Sequence, residues 1–73
     1  MKILEINNPK NAGHILRELR IDKGETQVHA AKALNIMSKN LSRIEHDQKK
    51  VSVEFFCKAA VYYGMDEVRI LVK

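Results

Sequence analysis

Between Lys10 and Gly24 the apolar residues recur at the i, i+3, i+4, i+7 spacing of one helix face, namely Ala12, Ile15, Leu16 and Leu19. Asn7-Asn8-Pro9 interrupts the preceding segment, so the pattern predicts a helix that begins at Lys10 or Asn11. Gly24 is expected to end this helix in the left-handed conformation.

The segment TQVHAAKALNI (26–36) predicts a second, shorter helix followed by a tight turn. Thr26 is a favourable N-cap residue. The positions expected to face inward are Ala30, Ala31 and Leu34. Asn35 can adopt the left-handed conformation that ends the helix, and Ile36 in the turn is expected to reach the core.

The segment that follows, SKNLSRIEH (38–46), predicts a third helix with a poor apolar face. Ser38 is expected to cap it, and the helix should run to about His46. Only Leu41 and Ile44 face the core. Helices this short are marginal in water, so the neighbouring helices must stabilise it.

Ser52 is expected to cap a fourth helix from about Val53 to Tyr63, ended by Gly64. One side of its helical wheel carries Val53, Phe56, Cys57, Ala60 and Tyr63, and nearly the opposite side carries Phe55, Ala59 and Tyr62. A monomer this small is not expected to cover both sides, so the second side predicts a partner surface. The alternative is that its two aromatic residues are ordinary surface residues.

Both ends of the chain predict short strands, at residues 1–6 and 67–72. MKILEI lacks helical spacing and is rich in aliphatic and β-branched residues. In EVRILVK, strand-like alternation of Val68, Ile70 and Val72 competes with a helical reading, and the β-branched residues favour the strand. Because an isolated strand pair is marginal, this tail should pair with residues 1–6 or with the same tail of a second subunit.

The composition indicates one small globular domain. The chain has 73 residues, of which 45% are hydrophobic, with 3 Gly and 1 Pro. The sequence contains no apolar run long enough to span a bilayer and no secretory signal pattern. The single Cys57 cannot form an internal disulfide, which fits a cytoplasmic protein. A domain this small is expected to associate with a partner.

Positive charge is concentrated around the third helix. The net charge is +4, and the basic residues cluster at Lys39, Arg43, Lys49 and Lys50. Along the third helix Lys39, Ser42, Arg43 and His46 share one stripe, with Ser38 and Asn40 at its leading end. The helix fits the major groove of B-DNA, where Arg or Lys pairs with guanine, Asn with adenine, and Ser with either. The alternative for any such run is a solvated face.

The order and spacing of these features resemble the Cro/repressor-type helix-turn-helix fold, also called the XRE family, over residues 13–64. The resemblance is carried by Leu16, Leu19, Arg20, Thr26, Gln27, Ala31, Leu34, Ile36, Ile44, Glu45, Ser52 and Ala60. It implies a mainly α, lambda-repressor-like bundle of four helices in a single domain, 1–73, with its core at 10–64 and terminal strands that pair at a dimer interface.

The resemblance also implies roles for individual residues. Base contacts fall on Ser38, Lys39, Ser42 and Arg43, and DNA backbone contacts on Gln27, Asn40, Lys49 and Lys50. Arg20 and Glu45 would form a structural ion pair. The chain departs from the family pattern at Ala30, where a larger aliphatic residue is usual, and at Asn35 and His46-Asp47, where Gly is common. Asp47 would bring negative charge near the DNA.

Most proteins of this fold bind as twofold dimers to near-palindromic double-stranded DNA. A homodimeric transcriptional regulator, expected to be a repressor, is therefore predicted, with a dimer interface at Phe55, Tyr62, Val68, Ile70 and Val72. The strand-like tail resembles HipB-type antitoxins, which implies a toxin partner. The alternatives are a phage Cro-like regulator, a restriction–modification controller, or a protein-binding adaptor that has lost DNA binding.

Other chemistries find little support. His14, His29 and His46 are scattered, without a cluster at metal-ligand spacing. Cys57 on the core face is expected to act as a small hydrophobe. The sequence has neither a glycine-rich phosphate loop nor a recognisable catalytic arrangement. We therefore expect no enzyme activity, no cofactor, no metal and no membrane partner.

Overall fold

The computed structural model describes residues 1–6 and 11–70. Its elements follow in the order β1 (Ile3–Ile6), α1 (Ala12–Lys23), α2 (Gln27–Ala33), α3 (Ser38–Glu45), α4 (Val53–Tyr62) and β2 (Glu67–Ile70). The predicted mainly α class, with four helices and two short terminal strands, is confirmed. The first helix begins at Ala12, slightly later than predicted, and the Asn7-Pro9 stop signal lies outside the described residues.

The predicted helix ends are largely confirmed. The Thr26 hydroxyl accepts a hydrogen bond from the His29 amide at 3.1 Å, and the Ser52 hydroxyl accepts one from the Phe55 amide at 3.1 Å. Gly24 ends α1 with φ 81°, and Asn35 follows α2 with φ 60°. These side chains and backbone conformations satisfy polar groups that the helices leave unpaired.

The prediction that Ser38 caps α3 is wrong. Met37 occupies the N-cap position with φ −75° and ψ 141°. Its carbonyl oxygen accepts hydrogen bonds from the Asn40 amide at 2.9 Å and the Leu41 amide at 3.1 Å. Ser38 is therefore the first residue of α3. Its backbone is helical rather than extended, so its hydroxyl cannot reach the first-turn amides as an N-cap side chain does.

The core is built from one apolar side of each helix and the inner face of the strands. Leu16 of α1 and Leu41 of α3 are its largest fully buried side chains. The inward positions predicted for α2 are confirmed, since Ala30, Ala31 and Leu34 are all buried. Ile36 is partly buried against the same core, as expected for the turn.

The two-sided reading of α4 needs correction. Ala59, placed on the outward side, is fully buried at 0% exposure, whereas Val53, placed on the core side, is 62% exposed. Phe55 and Tyr62 are partly buried against the chain's own core. The reason is that α4 contacts both α1 and β2, so the chain covers a wider arc of this helix than one apolar stripe.

The terminal strands pair in parallel within the chain, in a register that runs from Ile3↔Glu67 to Ile6↔Ile70. The Lys2 carbonyl accepts hydrogen bonds from the Asp66 amide at 2.8 Å and the Glu67 amide at 3.2 Å. Strand state is thus confirmed for Glu67–Ile70, whereas residues 71–72 lie outside the described part of the chain. Ile6 is 5% exposed, so packing on the helices supports a pair that would be marginal alone.

Gly13 permits a close contact between α1 and α3. A Cβ atom at this position would lie 1.8 Å from the Ile44 carbonyl oxygen, far inside van der Waals contact. The start of α1 therefore rests on the last turn of α3, and a side chain at residue 13 would push the two helices apart.

We expect Gly13→Ala to lower the free energy of unfolding by at least about 2 kcal/mol, because the new methyl group overpacks a backbone contact. Urea unfolding followed by circular dichroism measures this. Helix propensity alone predicts the opposite sign, a gain of roughly 1 kcal/mol. The difference in free energy of unfolding between Arg17→Ala and Arg17→Gly, at an exposed position of the same helix, measures the contribution of helix propensity alone. A Gly13→Ala protein as stable as the parent would contradict the close contact.

Candidate nucleic-acid interface

A tight turn joins α2 to α3. The Ile36 amide donates to the Ala31 carbonyl at 3.0 Å, and the Leu34 amide donates to the Ala30 carbonyl at 2.9 Å. With Asn35 in the left-handed conformation, these bonds close α2 and redirect the chain into α3. α2 and α3 are packed against each other, which gives the two helices the relation of a helix-turn-helix motif.

α3 has one buried face and one solvent-facing face. Its buried residues are Leu41, Ile44 and Glu45. The solvent-facing positions from Ser38 to the C-cap are Ser38, Lys39, Arg43 and His46, all exposed, with Asn40 and Ser42 partly buried. The four residues predicted to contact bases, Ser38, Lys39, Ser42 and Arg43, therefore lie together on the side that the core does not use.

The solvent-facing side of α3 carries positive charge with no carboxylate of its own. Lys39 and Arg43 are both exposed, four positions apart, and neither forms an ion pair within the described residues. Like charges at this spacing destabilise a helix by about 0.2–0.5 kcal/mol. Lys49 and Lys50, in the loop after α3, are exposed as well. The helix thus tolerates a local repulsion that a polyanion would relieve.

The one acidic residue of α3, Glu45, is buried and held by two neighbouring helices. Arg20 of α1 donates from Nε to Glu45 Oε2 at 2.8 Å and from Nη2 to Oε1 at 3.1 Å. Gln27 of α2 donates from Nε2 to Glu45 Oε1 at 2.9 Å. The Arg20 and Glu45 side chains are 12% and 0% exposed, so the charges form a bidentate pair shielded from water.

The pKa values of two groups at or near this pair, Arg20 and Tyr63, are raised. The hydrogen bond with Glu45 raises the pKa of Arg20 above its ordinary value. Burial, with a smaller contribution from the Glu45 charge, raises the pKa of Tyr63 to about 12. No polar group among the described residues pairs with the Tyr63 hydroxyl. Both groups therefore keep their usual charge states near neutral pH.

Gln27 was predicted to contact the DNA backbone, and its amide is partly engaged. One hydrogen of its amide nitrogen binds Glu45, which leaves the second hydrogen for another acceptor. The contact between Gln27 and Glu45 was missed at the sequence level, because it depends on how α2 and α3 cross.

Asp47 is oriented toward α1. It has φ 57°, a conformation in which Asp is tolerated better than most residues. Its Oδ1 lies 2.9 Å from the position a Cβ atom on Gly13 would occupy, in the first turn of α1. That turn contains no acidic residue of its own, so the carboxylate lies where the helix dipole favours negative charge.

Four of the residues predicted for a dimer interface already make contacts within their own chain. The Tyr62 hydroxyl donates to Glu25 Oε1 at 2.5 Å, and Lys23 Nζ lies 4.1 Å from the Tyr62 ring centroid. Phe55, Val68 and Ile70 are partly buried against the core. Val72 lies outside the described residues.

Residues 1–6 and 11–70 include no group of three His, Cys, Asp or Glu side chains placed to hold a metal ion. Cys57 is a free, half-buried thiol. None of the described helices has the length and apolar character needed to cross a membrane.

The fold and its exposed basic helix are those of a helix-turn-helix DNA-binding domain. A family model described as a helix-turn-helix domain matches residues 12–71, most of the chain. The protein therefore belongs to the helix-turn-helix domain family, whose members typically bind DNA and are not enzymes. Neither the curated proteins nor the solved structures contain a match to this chain.

We expect Glu45→Gln to destabilise the fold by about 3–5 kcal/mol, because it leaves the Arg20 guanidinium largely desolvated without its anionic partner. Chemical unfolding measures the loss. The double variant Arg20→Met with Glu45→Leu removes both charges at similar volume and should recover much of the stability. A single variant within about 1 kcal/mol of the parent would show that the pair does not hold the helices together.

Proposed function

We propose that this protein is a sequence-specific double-stranded DNA-binding transcriptional regulator that acts as a homodimer, most simply as a repressor. The observation that carries the proposal is the exposed side of α3, on which Lys39 and Arg43 lie beside polar groups while Glu45 is buried. A helix of this diameter fits the major groove, and its polar side chains match the base edges there.

In this proposal Ser38, Lys39, Ser42 and Arg43 read bases. Arg43 has the planar donor pattern that pairs with the O6 and N7 atoms of guanine, and Lys39 can reach the same acceptors. Ser38 lies in the first turn of α3 with an exposed hydroxyl, which can donate or accept. Ser42 is partly buried. Its carbonyl oxygen lies 2.7 Å from His46 Nδ1, so the hydroxyl is the Ser42 group that can form a hydrogen bond with DNA.

The DNA backbone is contacted by Gln27, Asn40, Lys49 and Lys50. Lys49 and Lys50 follow α3 in an exposed loop, so they can reach phosphates that flank the groove occupied by the helix. Phosphate contacts of this kind fix the position of the protein and add affinity for every sequence.

Dimerisation is supported by the geometry that DNA imposes. Two reading helices must lie about 34 Å apart to enter successive major grooves. The chain measures 32 Å along its longest axis, so two copies side by side can provide this spacing. β2 pairs with β1 of its own chain, and within the described residues its other edge is unpaired. A second copy joining at this edge would place Val68 and Ile70 near the interface.

The antitoxin role, with a toxin as partner, is proposed from the resemblance of the tail to HipB-type antitoxins; in this structure the tail strand β2 pairs with β1 of its own chain. The Cro-like and controller roles share the same helix-turn-helix core. An adaptor that has lost DNA affinity is the alternative of a different class, and the exposed cations of α3 favour the DNA-binding role over it.

Selection from a random duplex library at about physiological salt tests the proposal, because sequence-independent affinity is weak there. We expect an enriched near-palindrome with half-sites about one helical turn apart, bound by two chains. An enriched site without twofold symmetry would contradict the dimer and keep the DNA-binding role. If no sequence is enriched, the adaptor alternative is supported instead.

Arg43→Ala and Lys50→Ala should differ in kind. Arg43→Ala is expected to cost about 1–3 kcal/mol on the selected site and to relax the preference at one base position. Lys50→Ala should weaken all sequences alike and reduce the slope of log K against log salt by about 1. Arg17→Ala removes the same charge from the exposed side of α1 and is the control. Equal losses of specificity from Arg43→Ala and Lys50→Ala would contradict these roles.

A further inference from the structure

Met37 is a large apolar residue exposed at the leading end of α3. The residue is 67% exposed, although it directly precedes the helix proposed to read DNA. The Asn40 and Leu41 amides donate to its carbonyl oxygen at 2.9 and 3.1 Å. The backbone of Met37 is thus held by the first turn of α3, while its side chain is left without a place in the core.

The position of Met37 matters because helix-turn-helix proteins contact base edges with the N-terminal residues of the reading helix. Single exposed apolar residues are ordinary elsewhere on a surface. Here, however, Met37 precedes Ser38 and Lys39, both proposed to contact bases, so a bound duplex would lie against it.

Met37 also lines an open groove of about 550 Å³ whose walls are formed by Lys32, Asn35, Ile36, Met37 and Asn40. Of the five lining residues Ile36 and Met37 are apolar, and the other three carry polar or charged side chains. Such a groove can receive a small apolar group that projects from a polar base edge.

We infer that Met37 reads the C5-methyl group of a pyrimidine in the major groove, an inference that rests on the proposed DNA-binding function. The thioether side chain offers no hydrogen-bond donor and only a weak acceptor, so it adds little to polar base recognition. The methyl group of thymine is the apolar feature of the major-groove edge. 5-Methylcytosine carries a methyl group at the same place, so binding at this position should also respond to cytosine methylation.

The experiment uses the duplex selected for the full chain and replaces each thymine of a half-site, one at a time, with deoxyuridine. This change removes one methyl group and keeps the base-pairing edge. We expect one position at which the parent protein loses about fourfold in affinity per half-site, the factor that burial of one methyl group provides. Substitution in both half-sites should cost roughly fifteenfold.

Three variants assign the effect to Met37. Met37→Ala should bind the thymine and uracil duplexes equally at that position, whereas Met37→Leu, which keeps an apolar side chain, should retain the preference. Val28→Ala is the matched control, because Val28 is an apolar residue of α2 with a similar exposure of 68%. It should leave the thymine-to-uracil ratio unchanged. Circular dichroism confirms that each variant is folded.

A second comparison separates the two sources of the methyl group. At the sensitive position a 5-methylcytosine–guanine pair should bind more tightly than a cytosine–guanine pair, and Met37→Ala should abolish the difference. A preference for thymine without one for 5-methylcytosine restricts the contact to thymine and supports the inference in that narrower form.

A parent protein that binds thymine and uracil alike at every position overturns the inference and leaves the proposed function standing. A thymine preference that survives in Met37→Ala does the same, since the methyl group is then read by another residue. If the selection enriches no sequence at all, the proposed function and this inference fail together.

Discussion

The buried pair of Arg20 and Glu45 organises this domain, because its members join α1 to the end of α3, and Gln27 adds α2 to the same carboxylate. A charged pair removed from water must be fully hydrogen-bonded to be tolerated, so the geometry of three helices is specified at one point. The pair also withdraws the acidic group of α3 from solvent. The pair therefore ties α3 to its neighbouring helices and leaves the outer side of α3 without a carboxylate.

α3 contributes little to folding, which leaves its outer side available for the recognition role proposed for it. Of its eight residues, Leu41, Ile44 and Glu45 are buried, and an isolated helix of this length would not persist in water. The missing stabilisation comes from α1 and α2, which both contact α3, and from the shared core, to which Ile6 of the strand pair also belongs. β1 and β2 come from opposite ends of the chain, so their pairing closes the domain around the helices.

Backbone contacts at the helix junctions decide where α3 lies. Gly13 lets α1 approach the Ile44 carbonyl. Asn35, in the turn before α3, and Asp47, just after α3, adopt left-handed conformations. Asn and Asp tolerate this conformation better than other non-glycine residues. The turns therefore keep this geometry without glycine, and the Asp47 carboxylate lies near the start of α1.

The amino-acid sequence alone was enough to predict the helices and strands, because helical spacing, cap residues and β-branched alternation are local properties that need few distant contacts. It also predicted the exposed stripe with Lys39 and Arg43, since positions that avoid the core follow from the spacing of Leu41 and Ile44. The packing of distant elements decided that Ala59 is buried and Val53 exposed, because β2 and α1 both contact α4. It likewise decided that β2 pairs within the chain, that Gln27 binds Glu45, and that Met37 protrudes beside the reading helix. Those outcomes depend on how elements far apart in sequence pack together. The spacing of residues along one element carries no information about that packing.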